Sequence, residues 1–218
     1  AYHGVVSCAL GWACWKTYVG RPETNIVRHF SMNRLGIGLH EANHYEDALS
    51  VREAELANLE RVGASEHNCI SAMSNIANTY HELNRFEEAL RLRQAVYSGY
   101  LKLNGEQHRH TLVAALNWAI GLRRSQRDEE AKALLRKTIP VARRILGESH
   151  ELTLKLRKVY AGALYFDKGA TLDDLRESVT TLEDVARTAR RVLGGAHPLT
   201  MEVERNLGDV RAALRARE

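Results

Sequence analysis

Leu146-Gly147-Glu148-Ser149-His150-Glu151-Leu152-Thr153 is the stretch that decides the fold. It reads as a stop followed by a start. Gly147 tolerates the positive φ at which a helix ends, and Thr153, three residues past His150, offers a hydroxyl to cap the next helix. The arrangement recurs: Gly105 and Gly194 lie three residues before His108 and His197, and Thr111 and Thr200 lie three residues after them. Working outward, His67, His108, His150 and His197 each stand 19 residues after a small residue in a polar context, namely Ala48, Ala89, Ala131 and Ser178. Both columns step by 41, 42 and 47 residues. Two columns with one set of spacings define a repeat, and a repeat of this length means stacked supersecondary units. The long step fits five inserted residues near 167–173, where Gly and Asp signal a loop.

Within each repeat the apolar residues recur at helical spacing, as in Met73, Ile76, Ala77 and Tyr80, or Ala115, Trp118, Ala119 and Leu122. A small residue recurs in one column (Gly36, Ala77, Ala119, Ala161, Gly208), where a neighbouring helix must come close. The pattern predicts a first helix of about 15 residues, a tight turn such as 81–85, and a second helix of about 18. Stacked pairs bury a core that no single pair can bury. Pro140 falls inside a predicted second helix and is expected to kink it.

Asn75-Ile76-Ala77, Asn117-Trp118-Ala119, Glu87-Glu88-Ala89-Leu90 and Leu146-Gly147-Glu148-Ser149-His150 resemble the 42-residue tetratricopeptide repeats of kinesin light chains and their relatives. The likeness covers about residues 25–218, although the Asn column reads Arg34 in the first repeat and Val159 in the fourth. It implies an all-α fold, a right-handed superhelix (α-solenoid) with repeats at about 25–68, 69–109, 110–151 and 152–199 and a terminal helix at 200–218. Residues 1–24 are expected to form an amino-terminal capping or docking helix, with Trp12, Trp15 and Val19 as an aromatic and apolar stripe.

The 218 residues include 31 basic and 27 acidic side chains, for a net charge of +4. The two signs alternate along most of the chain, so nucleic acid is not expected as a partner. Few prolines and no Ser/Gly-rich tract argue for one continuous body. Cys8, Cys14 and Cys69 cannot all pair and form no Cys-x-x-Cys unit, which fits free, mostly buried thiols and an intracellular site, cytoplasmic or in an organelle lumen. The longest weakly polar stretch, 5–15, is too short for the roughly 20 residues of a transmembrane helix. The absence of an initiator Met and of a secretory signal pattern suggests a processed or partial chain.

One string invites a catalytic reading: His40-Glu41-Ala42-Asn43-His44 matches the zinc-protease pattern. Its counterpart in the next repeat, His81-Glu82-Leu83-Asn84-Arg85, places it across a turn, where its two histidines do not converge. The column histidines recur one repeat apart, roughly 10 Å, too far to share a metal, and are expected to close the inter-repeat turns by hydrogen bonding backbone. No phosphate loop or activated nucleophile appears, so no enzyme activity, cofactor or metal is expected. The basic cluster Arg123-Arg124-Ser125-Gln126-Arg127 reads as a solvated helix end, with phosphate or an acidic peptide as the alternative.

Solenoids of this kind resemble one another in lining a concave channel with the first helix of each pair. On that face the helical wheel puts Asn33, Ile37 and His40, then Ser74, Asn78 and His81, then Leu116, Ile120 and Arg123, then Lys155, Lys158 and Tyr165. Asn75, Asn117 and Asn206 flank it, and the resemblance implies that these amides hold the backbone of an extended peptide. Leu116 and Ile120 are expected to supply an apolar anchor, and Lys155, Lys158 and Arg205 to favour an acidic ligand segment. The expected function is a non-catalytic adaptor or scaffold binding a peptide or protein surface. The alternative is a structural subunit of a larger assembly, held by its convex face and by Trp12 and Trp15.

Overall fold

The computed structural model describes residues 2–218, with side chains from residue 4 onward. Its described residues form ten helices and no strands, so the fold is all-α. The chain divides into two compact units, Ala1–Leu103 and Asn104–Glu218. The first holds α1 (Tyr2–Tyr18), α2 (Ile26–Glu41), α3 (Tyr45–Arg61), α4 (Glu66–Glu82) and α5 (Phe86–Asn104). The second holds α6 (Arg109–Arg124), α7 (Asp128–Leu146), α8 (Glu151–Phe166), α9 (Leu172–Leu193) and α10 (Pro198–Arg217).

The paired helices follow the expected lengths: first helices α2, α4, α6 and α8 have 16, 17, 16 and 16 residues, and α3, α5 and α7 have 17, 19 and 19. The turn inside each pair is three residues long at 42–44, 83–85 and 125–127. Its middle residue is left-handed in every case, at φ 64° for Asn43, 59° for Asn84 and 57° for Gln126. In the fourth pair the insertion is divided: the loop 167–171 has two extra residues, and α9, at 22 residues, has three extra at its amino end. Thr171 starts that longer helix with a reciprocal capping box to Asp174.

The turns between pairs depend on glycine. Gly147 (φ 93°, ψ 160°) and Gly194 (φ 89°, ψ 159°) occupy backbone space that a Cβ forbids. The next helix is then capped by the histidine: Nδ1 of His108, His150 and His197 accepts from the N–H of His110, Leu152 and Leu199 at 3.2, 3.1 and 3.2 Å. This corrects the assignment of the cap to threonine. Thr111 and Thr200 instead donate back to the carbonyls of Gly105 and Gly194 at 2.7 and 2.9 Å, which closes the loop itself. His67 departs from its column, because Ser65 caps α4 and His67 lies inside that helix, edge-on to Tyr100.

In the second unit α6 packs on α7, α7 on α8, α8 on α9 and α9 on α10, and the first helices also meet, α6 with α8 and α8 with α10. A core of Leu154, Leu175, Leu182, Val185, Leu199 and Val203 fills the α8–α9–α10 layer. The two small-residue columns meet there, Ser178 donating to the carbonyl of Ala161 at 2.8 Å with both residues fully buried. Gly208 departs from this column, being exposed with open space about it. Helix α7 runs on through Pro140, which lies on its exposed side.

In the first unit α1 lies directly on α2. A Cβ at Gly4 would stand 2.2 Å from the Glu41 carbonyl oxygen, one at Gly11 2.9 Å from Leu35 Cα, and one at Gly38 2.5 Å from the Ser7 carbonyl oxygen. The two backbones therefore touch. Trp15, expected on the aromatic stripe, is partly buried against the core cluster of Leu35, Leu39 and Ala48, as a capping helix requires. Trp12 remains 44% exposed, and Val5 and Leu10 of the same helix are exposed too.

Candidate protein-interaction site

In the second unit a cleft of about 590 Å³ opens across the first helices α6, α8 and α10. It brings together Ile120, Lys158 and Asn206, three of the residues expected in the groove. Arg123, Arg124 and Lys168 join them, against Asp128 and Glu202. Of the other expected residues in this unit, Asn117 is half-buried, Lys155 is partly exposed and Arg205 is exposed, all outside the cleft lining. Leu116 is 7% exposed and belongs to the core, so it offers no apolar anchor. Exposed Phe166, which sequence reasoning overlooked, lines the cleft instead.

Arg123 is held in three ways. Its guanidinium lies against Gly162, where any Cβ would stand 2.6 Å from Nη1, and it stacks 4.9 Å from the Phe166 ring. Its Nε faces Asp128 Oδ1 at 3.6 Å, close enough for charge attraction but too far for a hydrogen bond, and both atoms are otherwise unpartnered. Burial lowers the Arg123 pKa, and burial raises that of Asp128 despite Arg123 beside it.

Other cations are already engaged. Lys158 pairs with Glu202 at 2.6 Å and Lys155 with Glu151 at 2.7 Å. Lys132, almost fully buried, contacts Asp167 at 2.6 Å and Glu129. The Lys132 hydrogen bond, with the Gly169 N–H, pulls Asp167 down to about 2, which pins the inserted loop beside the cleft. Arg124 and Lys168 make no ion pair among the described residues and are both exposed.

In the first unit Asn33 lines a separate cleft between α2, α3 and α4. Asn75 and Asn78 lie outside it; the Asn75 carbonyl accepts from buried Arg52 Nη1 at 2.9 Å. The zinc-like string behaves as its repeat alignment requires: His40 ends α2, its Nδ1 lies 3.3 Å from Arg52, and His44 stands before α3. Among the described residues no group of three or more His, Cys, Asp or Glu is placed to hold a metal. Cys8, Cys14 and Cys69 are free and half-buried rather than fully buried. No helix of the described residues is long and apolar enough to cross a membrane.

Residues 69–110 and 111–151 match the family model of the tetratricopeptide repeat. These two segments are tetratricopeptide repeats, and the helix pairs around them share the all-α tetratricopeptide solenoid fold, one used for protein-protein interaction. A Podosopora anserina structure described as a kinesin light chain with nearly identical TPR-like repeats is 20% identical, with a TM-score of 0.73 over 90% of each chain. BtubC (BKLC) from P. vanneervenii is 10% identical, with a TM-score of 0.61 over 98% of this chain and 90% of that one. The apo form of RapI is 15% identical, with a TM-score of 0.64 over 98% of this chain and 79% of that one. No curated protein matches the sequence.

Proposed function

We propose that the chain is a non-catalytic adaptor that holds an extended, acidic peptide segment in the α6–α8–α10 cleft. One observation carries this reading: three successive first helices bring Ile120, Lys158 and Asn206 to one cleft, where exposed Arg124 and Lys168 form no ion pair among the described residues. An acidic side chain meets Arg124 and Lys168, an apolar one meets Ile120 and Phe166, and the Asn206 amide serves both donor and acceptor of the ligand backbone. Arg123 and Asp128 separate as a ligand carboxylate takes the guanidinium. Affinity built from such modest contacts, less the cost of ordering the peptide, is on the order of micromolar.

The test is selection from an acidic peptide library followed by fluorescence polarisation. Arg124→Glu with Lys168→Glu should weaken the selected peptide at least tenfold without lowering the melting temperature. The exposed Val5, Leu10 and Trp12 on α1 favour a second reading, a subunit docked through that helix. Partner capture that survives the charge reversal but is lost with Leu10→Ser and Trp12→Ser would establish it in place of the first.

A further inference from the structure

The cleft of the first unit, about 430 Å³, lies between the amino-terminal halves of α2 and α4 with α3 behind it. Ile26 and Phe30 of α2 and Leu59 and Val62 of α3 make its apolar walls. Its lining also holds Glu55, which is only 5% exposed. Asn33 hydrogen bonds the carboxyl group, but Oε2 has no partner. His29, on the same lining, also keeps a buried, unpartnered ring nitrogen, Nδ1. Buried polar atoms are almost always satisfied, so two unpartnered polar atoms on residues lining one apolar cleft point to a polar group that arrives with a ligand.

The repeat shows that the fold does not need this carboxyl. The same position of the other second helices is Val96, Thr138 and Val185, each buried. Arg52, one turn earlier on α3, attracts the carboxylate by its charge, but its hydrogen bonds go to the Asn75 carbonyl and the Thr79 hydroxyl. No Lys or Arg lines the cleft, whose only titratable groups are Glu55 on α3 and His29 on α2. What is missing is therefore a compact cation with several N–H donors and an apolar stem.

We propose that this cleft binds a primary ammonium carried on an apolar body, either a small aliphatic amine or a lysine side chain in an apolar peptide segment. The ammonium donates to Glu55 and to His29 Nδ1, while its stem packs on Ile26, Phe30 and Leu59. Burial holds the empty carboxyl up at about 7, so the arriving charge also ionises it and binding tightens with rising pH. This site is independent of the α6–α8–α10 cleft in location and in charge preference.

The experiment titrates the full chain at pH 8, by NMR, with n-hexylammonium, with uncharged n-hexanol, and with an acetylated and amidated Leu-Lys-Leu tripeptide. The amine or the tripeptide should bind at least tenfold tighter than the alcohol, and whichever does so identifies the source. Glu55→Gln keeps the side-chain shape and should bring the preference close to one, with circular dichroism confirming the helix content. Ala64→Phe, which fills the cleft from the α3–α4 turn, should abolish binding of every probe. Arg124→Glu with Lys168→Glu should leave amine binding unchanged. Equal binding of amine and alcohol, a preference that persists in Glu55→Gln, or no binding of any probe overturns the proposal.

Discussion

The two clefts are built on one helical plan and differ in how their charge is handled. In the second unit the less exposed charges on the cleft wall face opposite ones, Arg123 opposite Asp128 and Lys158 opposite Glu202, and the surplus cations Arg124 and Lys168 are exposed. In the first unit a carboxyl is buried with one oxygen unpartnered against apolar walls. The clefts use different positions of the repeat, the amino-terminal halves of α2 and α4 in the first unit and the carboxyl-terminal ends of α6 and α8 in the second, and the side chains that fall there set the chemistry of each. A tetratricopeptide scaffold can thus carry sites of opposite preference side by side in its sequence without altering its core columns.

The largest test of that contrast transplants the carboxyl. Thr138→Glu puts an acid at the α7 position equivalent to Glu55, where the place of Asn33 is taken by Leu116 and no amide stands ready. It should cost about 4 kcal/mol in urea denaturation, the scale of an uncompensated buried charge. A loss under about 1 kcal/mol would mean that the two units are equally tolerant and the contrast fails.

A smaller effect follows from pH. The folded-state value of Glu55 is raised from 4.5 to about 7, so the native protein holds a proton that the unfolded chain releases. Its contribution to stability is therefore most favourable below about 4.5, declines as pH rises toward 7 and is flat above that, by up to about 3 kcal/mol. Comparison of wild type with Glu55→Gln at pH 4.5 and pH 8 isolates it. The two should be alike at the lower pH, and Glu55→Gln should be the more stable at the higher. The smallest effect concerns the caps: Ser65→Ala in the first unit and His150→Ala in the second should each cost about 1 kcal/mol in thermal melts, because each removes one side-chain acceptor from a helix start. A markedly larger loss for His150 would give the histidine a role beyond capping.

The period, the helix pairs and the glycine turns were legible in the sequence because they rest on local conformational rules that repeat. Ile120, Lys158 and Asn206 were legible for the same reason, since their face follows from helical geometry. The burial of Leu116 was not legible because a helical wheel orders side chains around an axis but does not tell which neighbour covers them. Phe166 and Lys168 escaped notice because they flank the insertion, where the columns lose register. Glu55 carries no mark of burial in its own surroundings in the sequence, and only its companions Val96, Thr138 and Val185 mark it as an exception.

The glycine contacts between α1 and α2 have a mechanical consequence. With Gly4 against the Glu41 carbonyl and Gly38 against Ser7, a slide of one residue would drive a side chain into the opposing backbone, so the seam resists sliding and rolling. The pair behaves as a stiff beam. A load applied to Trp12 or Leu10 is delivered to α2 as a whole, and α2 carries Ile26, Phe30 and Asn33 on the wall beside Glu55. A displacement of the first helix relative to α3 and α4 would thereby move the wall of a cleft that it does not line.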